Sequence, residues 1–178
     1  MCVFVYMFTI VLNPTTHACH TSGGASGGYT TGPQCVIDLL RQRSRPYVFS
    51  NSLSPVIVGA TLEVFNLLTS PTIGTELLAK LQYNTSLFRS LIVQAGFEVK
   101  GVTEHPIIPI MLYDTPLAKR FAERLLDLGI YVIAFGYPIV PKNGARIRVQ
   151  VSAAHTEEQI RRVVSGFEVV GRELGVIA

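Results

Sequence analysis

Apolar and polar positions change period several times along this chain, and each change falls on a residue that ends or starts an element. Leu77, Leu81, Phe88, Leu91 and Ile92 recur at helical spacing and predict a helix from about Ile73 to Gly96. Ile107–Tyr113 is almost wholly apolar and predicts a strand, with Pro109 marking an edge or a bulge. Asp114-Thr115-Pro116 then combines an N-cap residue with an early proline, so a helix starts there. Its buried face is Leu117, Phe121 and Leu125, and Gly129 stops it. Ile130–Phe135 is apolar enough for a buried strand. Asn143-Gly144 makes a turn, and Arg146–Val151 alternates with period two. Thr156 and Gln159 form a capping box for a last helix, buried through Ile160, Val163, Val164 and Phe167.

The first half is less regular. Gly23-Gly24-Ala25-Ser26-Gly27-Gly28 carries so little side chain that it reads as a tight turn or a close packing site. Pro33 suits the first turn of a helix with Val36, Ile37, Leu39 and Leu40 on its apolar stripe. Arg41, Arg43 and Arg45 end that helix and Pro46 closes it. Ser54-Pro55 opens another helix running to about Leu68. From roughly residue 85 onward the order of elements implies a compact α+β domain, a small sheet covered by helices on one face.

Composition narrows this little. Hydrophobic residues make up 48% of the 178 and charged residues 15%, which argues against disorder. The net charge is +3 with basic residues scattered, so there is no electrostatic case for nucleic acid. Cys2, Cys19 and Cys35 are an odd set without repeated spacing, which favours a reducing compartment over a disulfide framework. Met1–Leu12 is an uncharged apolar run, shorter than the roughly 20 residues a membrane helix needs and without the positive start of a signal peptide. It reads as a short buried strand or as sequence foreign to the fold.

Candidate chemistry is sparse on pattern alone. The glycine patch lacks the GK[ST] of a P-loop and the GxGxxG of a dinucleotide fold. His17, Cys19 and His20 form one cluster, where structural zinc uses two spaced pairs. Asn84-Thr85-Ser86 matches a glycosylation acceptor but falls inside a predicted helix, and reads as chance. Ser50-Asn51-Ser52 could hold an anion beside a helix start or serve as an ordinary cap. Arg146 and Arg148 share one face of a strand, either as a solvated outer face or as a carboxylate clamp.

Several stretches occur together and in order: Gly23 to Tyr29, Leu40-Arg41-Gln42-Arg43-Ser44-Arg45-Pro46-Tyr47, Phe49-Ser50-Asn51-Ser52-Leu53, Gly144-Ala145-Arg146-Ile147-Arg148-Val149, and Ala153-Ala154-His155-Thr156 through Leu174-Gly175-Val176-Ile177-Ala178. On these, residues 23 to 178 resemble the C-terminal part of the 2-amino-3-ketobutyrate coenzyme A ligases (glycine C-acetyltransferases). Those enzymes belong to the α-oxoamine synthase branch of fold-type-I pyridoxal-phosphate enzymes. The resemblance implies an α/β fold-type-I portion: residues 23–84 as a remnant of the large cofactor-binding domain, residues 85–178 as the small α+β domain, and residues 1–22 outside the family. It also implies pyridoxal phosphate as cofactor, glycine and acetyl-CoA as substrates in threonine breakdown, a homodimer, and the mitochondrial matrix, with the cytosol as the other choice because no Arg-rich transit segment is visible. Ser50 and Asn51 would reach the cofactor phosphate of the partner subunit, and Arg148 would clamp the glycine carboxylate.

One departure decides what to expect of activity. The family's Schiff-base lysine lies in Gly-Lys-Ala-Leu, directly before the Gly-Gly-Ala-Ser-Gly-Gly run. Counted back without a gap, its position falls on His20, followed by Thr21-Ser22. Imidazole has no primary amine, so no catalytic residue is expected at the family position and the chain is expected to be inactive alone. The alternatives are a non-catalytic partner of a full-length subunit, or an unrelated α+β module that binds a small acid.

Overall fold

The computed structural model describes residues 17–20, 28–49 and 54–177; the side chains of 17–20, 28–31, 46 and 47 are not described. The elements in chain order are β1 (His17–His20), β2 (Gly28–Thr31), α1 (Gln34–Arg43), α2 (Arg45–Val48), α3 (Pro55–Thr69), α4 (Ile73–Gln94), β3 (Ile107–Tyr113), α5 (Thr115–Asp127), β4 (Ile133–Phe135), β5 (Ala145–Gln150) and α6 (Glu157–Glu173). Contacts divide the chain into two compact units, Met1–Thr75 and Glu76–Ala178. The mixture of helices with small sheets agrees with the expected α/β class.

In the first unit β1 and β2 pair antiparallel, with His20 opposite Gly28 at the end of the ladder. Pro46 does not close a helix as the sequence predicted. Ser44 takes an extended conformation (φ −70°, ψ 116°) that ends α1, and Pro46 sits in the first turn of α2, where its missing N–H costs nothing. Helix α3 starts at Pro55 as expected, yet neither α1 nor α3 buries a residue; Val56 and Leu62 on α3 are exposed.

The second unit holds the core. Its sheet has the order β3-β5-β4, antiparallel throughout. The outer edge of β3 is partly covered by segment 98–100, through the Val99–Ile110 bridge and hydrogen bonds from Met111 N to Glu98 O and from Lys100 N to Pro109 O. Period-two alternation sends Ile108, Ile110, Ala145, Ile147 and Val149 to one face, against α5, α6 and the later turns of α4. Four phenylalanines from those helices and the chain after α4 meet there. Phe167 lies 5.4 Å from Phe121, 5.9 Å from Phe97 and 6.4 Å from Phe88, centroid to centroid, in tilted or edge-on arrangements.

The helix ends follow their local signals. The Asp114 side chain accepts from Leu117 N, and Thr156 and Gln159 make both bonds of the capping box. The strand predicted from Ile130 begins only at Ile133, because Ile130 still belongs to the end of α5. Gly129 has φ +76°, its N–H donates to Leu126 O, and Ile130 N donates to Leu125 O. That closes a left-handed cap in which Ile130 is the buried apolar residue.

The turn between β5 and α6 is built on buried polar groups. Asn84, on α4, donates to both Ser152 O and His155 O at 2.9 Å. His155 Nδ1 accepts from Ser152 N at 3.2 Å, and Ser152 Oγ accepts from Ala154 N. Burial holds the His155 imidazole below its ordinary pKa, and its accepting Nδ1 requires the neutral ring. The folded value thus lies below the unfolded one, near 6.5, so the unfolded chain takes up the proton first. Stability from this turn is expected to be complete above about pH 6.5 and to fall as the pH drops below it. Thermal melting from pH 8 to 5 checks this; His155→Gln should flatten that part of the profile.

Candidate functional site

The sheet has a second face, away from α5, α6 and the core side chains. On β5 it carries Arg146, Arg148 and Gln150, the residues that alternate with the core positions. The register places Arg148 between Pro109 on β3 and Ile133 on β4, and Arg146 between Met111 and Phe135.

The two arginines are not equivalent. Arg146 is half-buried, and its Nε donates to Gly144 O at 3.0 Å, closing the turn that enters β5. Arg148 is exposed, with no carboxylate at ion-pair distance and no hydrogen-bond acceptor on its guanidinium among the described residues. Its Cζ lies 5.7 Å from the centroid of the Phe135 ring. A guanidinium with its donor fork unspent, on a rigid strand, is suited to a carboxylate.

At the β3 edge of the same sheet a second polar group is already satisfied. Tyr113 Oη donates to Glu98 at 2.5 Å, and Lys100 Nζ lies 3.5 Å from Glu98 and 5.3 Å from the Tyr113 ring centroid. Tyr113 itself has φ +65°, beside a break in the β3–β5 register. The neighbouring Tyr113 hydroxyl, and after it the Glu98 carboxylate, hold the Lys100 ammonium above its ordinary pKa. Lys80, Lys119 and Lys142 are also exposed.

The other expected residues lie elsewhere. Ser50 and Asn51 fall outside the described residues. His20 is described only as backbone at the end of β1, and the side chains of His17 and Cys19 are likewise not described. Asn84 of the acceptor sequence is 2% exposed with its amide committed to two carbonyls, so it cannot take a glycan. Among the described residues no single helix is long and apolar enough to cross a membrane. Phe135 was legible only as an apolar strand residue, because its place beside Arg148 depends on the β4–β5 register.

Residues 19–167 match the family model for aminotransferase class I and II. The chain belongs to that aminotransferase family. Within it, the chain is 52% identical over 156 residues to the 2-amino-3-ketobutyrate coenzyme A ligase of Escherichia coli K12, covering 88% of this chain and 38% of that protein. It is 53% identical to the mitochondrial 2-amino-3-ketobutyrate coenzyme A ligase of Homo sapiens, over 87% of this chain and 36% of that one. Among solved structures, a serine palmitoyltransferase variant with pyridoxal phosphate superposes at TM-score 0.79 and 29% identity, over 88% of this chain and 39% of the other. The chain therefore spans less than two fifths of the length of each of these three relatives.

Proposed function

We propose that this chain is the carboxylate-binding portion of a glycine C-acetyltransferase, the enzyme that joins glycine to the acetyl group of acetyl-CoA and releases coenzyme A and 2-amino-3-ketobutyrate. The observation that carries this is Arg148: an exposed guanidinium with no acidic partner among the described residues, on the open face of a sheet in a chain 52% identical to such a ligase. In this role Arg148 takes the glycine carboxylate through a two-pronged hydrogen bond. Ser50 and Asn51 would contribute to the cofactor phosphate of a partner subunit. Pyridoxal phosphate, when bound, supplies the electron sink for the glycine carbanion. In domain terms, residues 23–84 belong with the large domain and 85–178 form the small one. The compartment proposed is the mitochondrial matrix, and the human relative is a mitochondrial enzyme.

Covalent attachment of the cofactor does not fit the residues present. The position counted for the lysine is His20, which pairs with Gly28 at the end of β1, and an imidazole cannot replace a primary amine. No step of the reaction is therefore assigned to a cofactor held by this chain. Purified chain with pyridoxal phosphate, glycine and acetyl-CoA is expected to release no coenzyme A above the protein-free rate in a thiol assay. Sustained turnover would overturn the inactive reading.

A second reading is favoured by α3, fifteen mostly apolar residues of which none is buried. Such a helix needs cover, and a full-length subunit would provide it, making this chain a non-catalytic partner. The unrelated-module alternative is set aside by the family match.

A further inference from the structure

We infer that Phe135 is a positioning residue for Arg148, holding its guanidinium over the open sheet face in the orientation that receives a carboxylate. This rests on the reading of Arg148 given above. Arg148 is on β5, and the residue directly opposite it on β4 is Ile133. Phe135, two residues further along and on the same face, is its diagonal neighbour, within reach for an aromatic side chain.

The 5.7 Å approach puts the cation within the range where a ring attracts it. On the other side of Arg148 stands Pro109, which offers neither charge nor hydrogen-bonding side chain. Arg146, directly opposite Phe135, is tied to Gly144 O and does not compete for the ring. Among the described residues, then, the Arg148 head group has the Phe135 ring beside it and no ion pair or hydrogen bond to hold it. A ring engages the cation without using its N–H donors, so the fork stays available. An aliphatic residue would fill the same space on β4 without attracting the cation, and this separates positioning from packing.

The test is a titration of the isotopically labelled 178-residue chain with sodium acetate, read at the Arg148 Nε–Hε resonance by NMR. In the unsubstituted chain that resonance is expected to be shifted by the Phe135 ring current and to move on adding acetate. Phe135→Leu should abolish the ring-current shift and weaken acetate binding about two- to fivefold, while Phe135→Tyr retains both. The Ile147 methyl resonances report whether the sheet is intact, and Phe135→Met is read in the same way if Phe135→Leu disturbs them. An Arg148 resonance and acetate curve unchanged in the aliphatic variants would overturn the inference. Arg148→Ala, which has no such resonance, is followed at the backbone amide of residue 148, as is the unsubstituted chain. If Arg148→Ala abolishes binding while the aliphatic variants at position 135 bind normally, only the positioning role fails. If Arg148→Ala titrates like the unsubstituted chain, the carboxylate role of Arg148 fails and positioning falls with it.

Discussion

Phe167→Ala is expected to unfold the unit Glu76–Ala178 at or near physiological temperature. Phe167 is fully buried and touches three other rings, Phe88, Phe97 and Phe121, which come from α4, the chain after it, and α5. Truncation removes the group that all three pack against, and the rigid sheet behind them limits how far the site collapses. Phe→Ala changes in such positions cost about 3–5 kcal/mol, against a total stability of about 5–15 kcal/mol for a typical domain. Circular dichroism melting checks this. The transition should be lost or fall far below that of the unsubstituted chain, whereas Phe167→Leu, which keeps most of the volume, should still give a cooperative melt. A Phe167→Ala protein melting within a few degrees of the original would show that the ring cluster is not the centre of the core.

Asn84→Ala is expected to have the next largest effect, for a different reason. Asn84 Nδ2 is a double donor to Ser152 O and His155 O, and Asn84 is 2% exposed. Its loss removes the side-chain donor from His155 O and leaves Ser152 O with only the bond from His155 N, at about 1–3 kcal/mol for a buried group left unsatisfied. The damage should be local as well as global. Hydrogen exchange at Ser152 and in the first turn of α6 should accelerate more than exchange in β5, because the turn loses its anchor while the strand keeps its ladder. Uniform acceleration would mean that Asn84 acts only through overall stability. Asn84→Asp should not rescue, since a carboxylate turned toward two carbonyls replaces attraction by repulsion.

These two residues also mark what could be read from the sequence. Phe167 was predicted as core because α6 repeats at helical spacing, and the signals that started α5 and α6, Asp114 and the Thr156–Gln159 box, are local to a single turn. For Asn84 the sequence predicts a helix but no role, because its partners lie 68 and 71 residues away. The sequence predicts strand at Ile130 because an apolar residue after a glycine suits either a strand start or the buried end of a helix cap. Only the bond from Ile130 N to Leu125 O separates the two. At the candidate site, period-two alternation placed Arg146 and Arg148 on one face, and the strand bears this out. Which of the two is uncommitted depends on the Gly144 carbonyl and on the Phe135 ring, and that information lies in the turn geometry and the strand register. His20 stands apart: its significance lies in its place against a family motif, independent of the fold.

The most direct test concerns the proposed lack of a Schiff-base lysine. The chain is mixed with pyridoxal phosphate, reduced with borohydride, digested and mapped by mass spectrometry. With histidine at position 20 and Lys80, Lys100, Lys119 and Lys142 all exposed, the expected result is scattered, substoichiometric labelling that no glycine or acetyl-CoA analogue changes. One stoichiometric adduct on a single lysine, formed together with an absorbance band and release of coenzyme A, would contradict it.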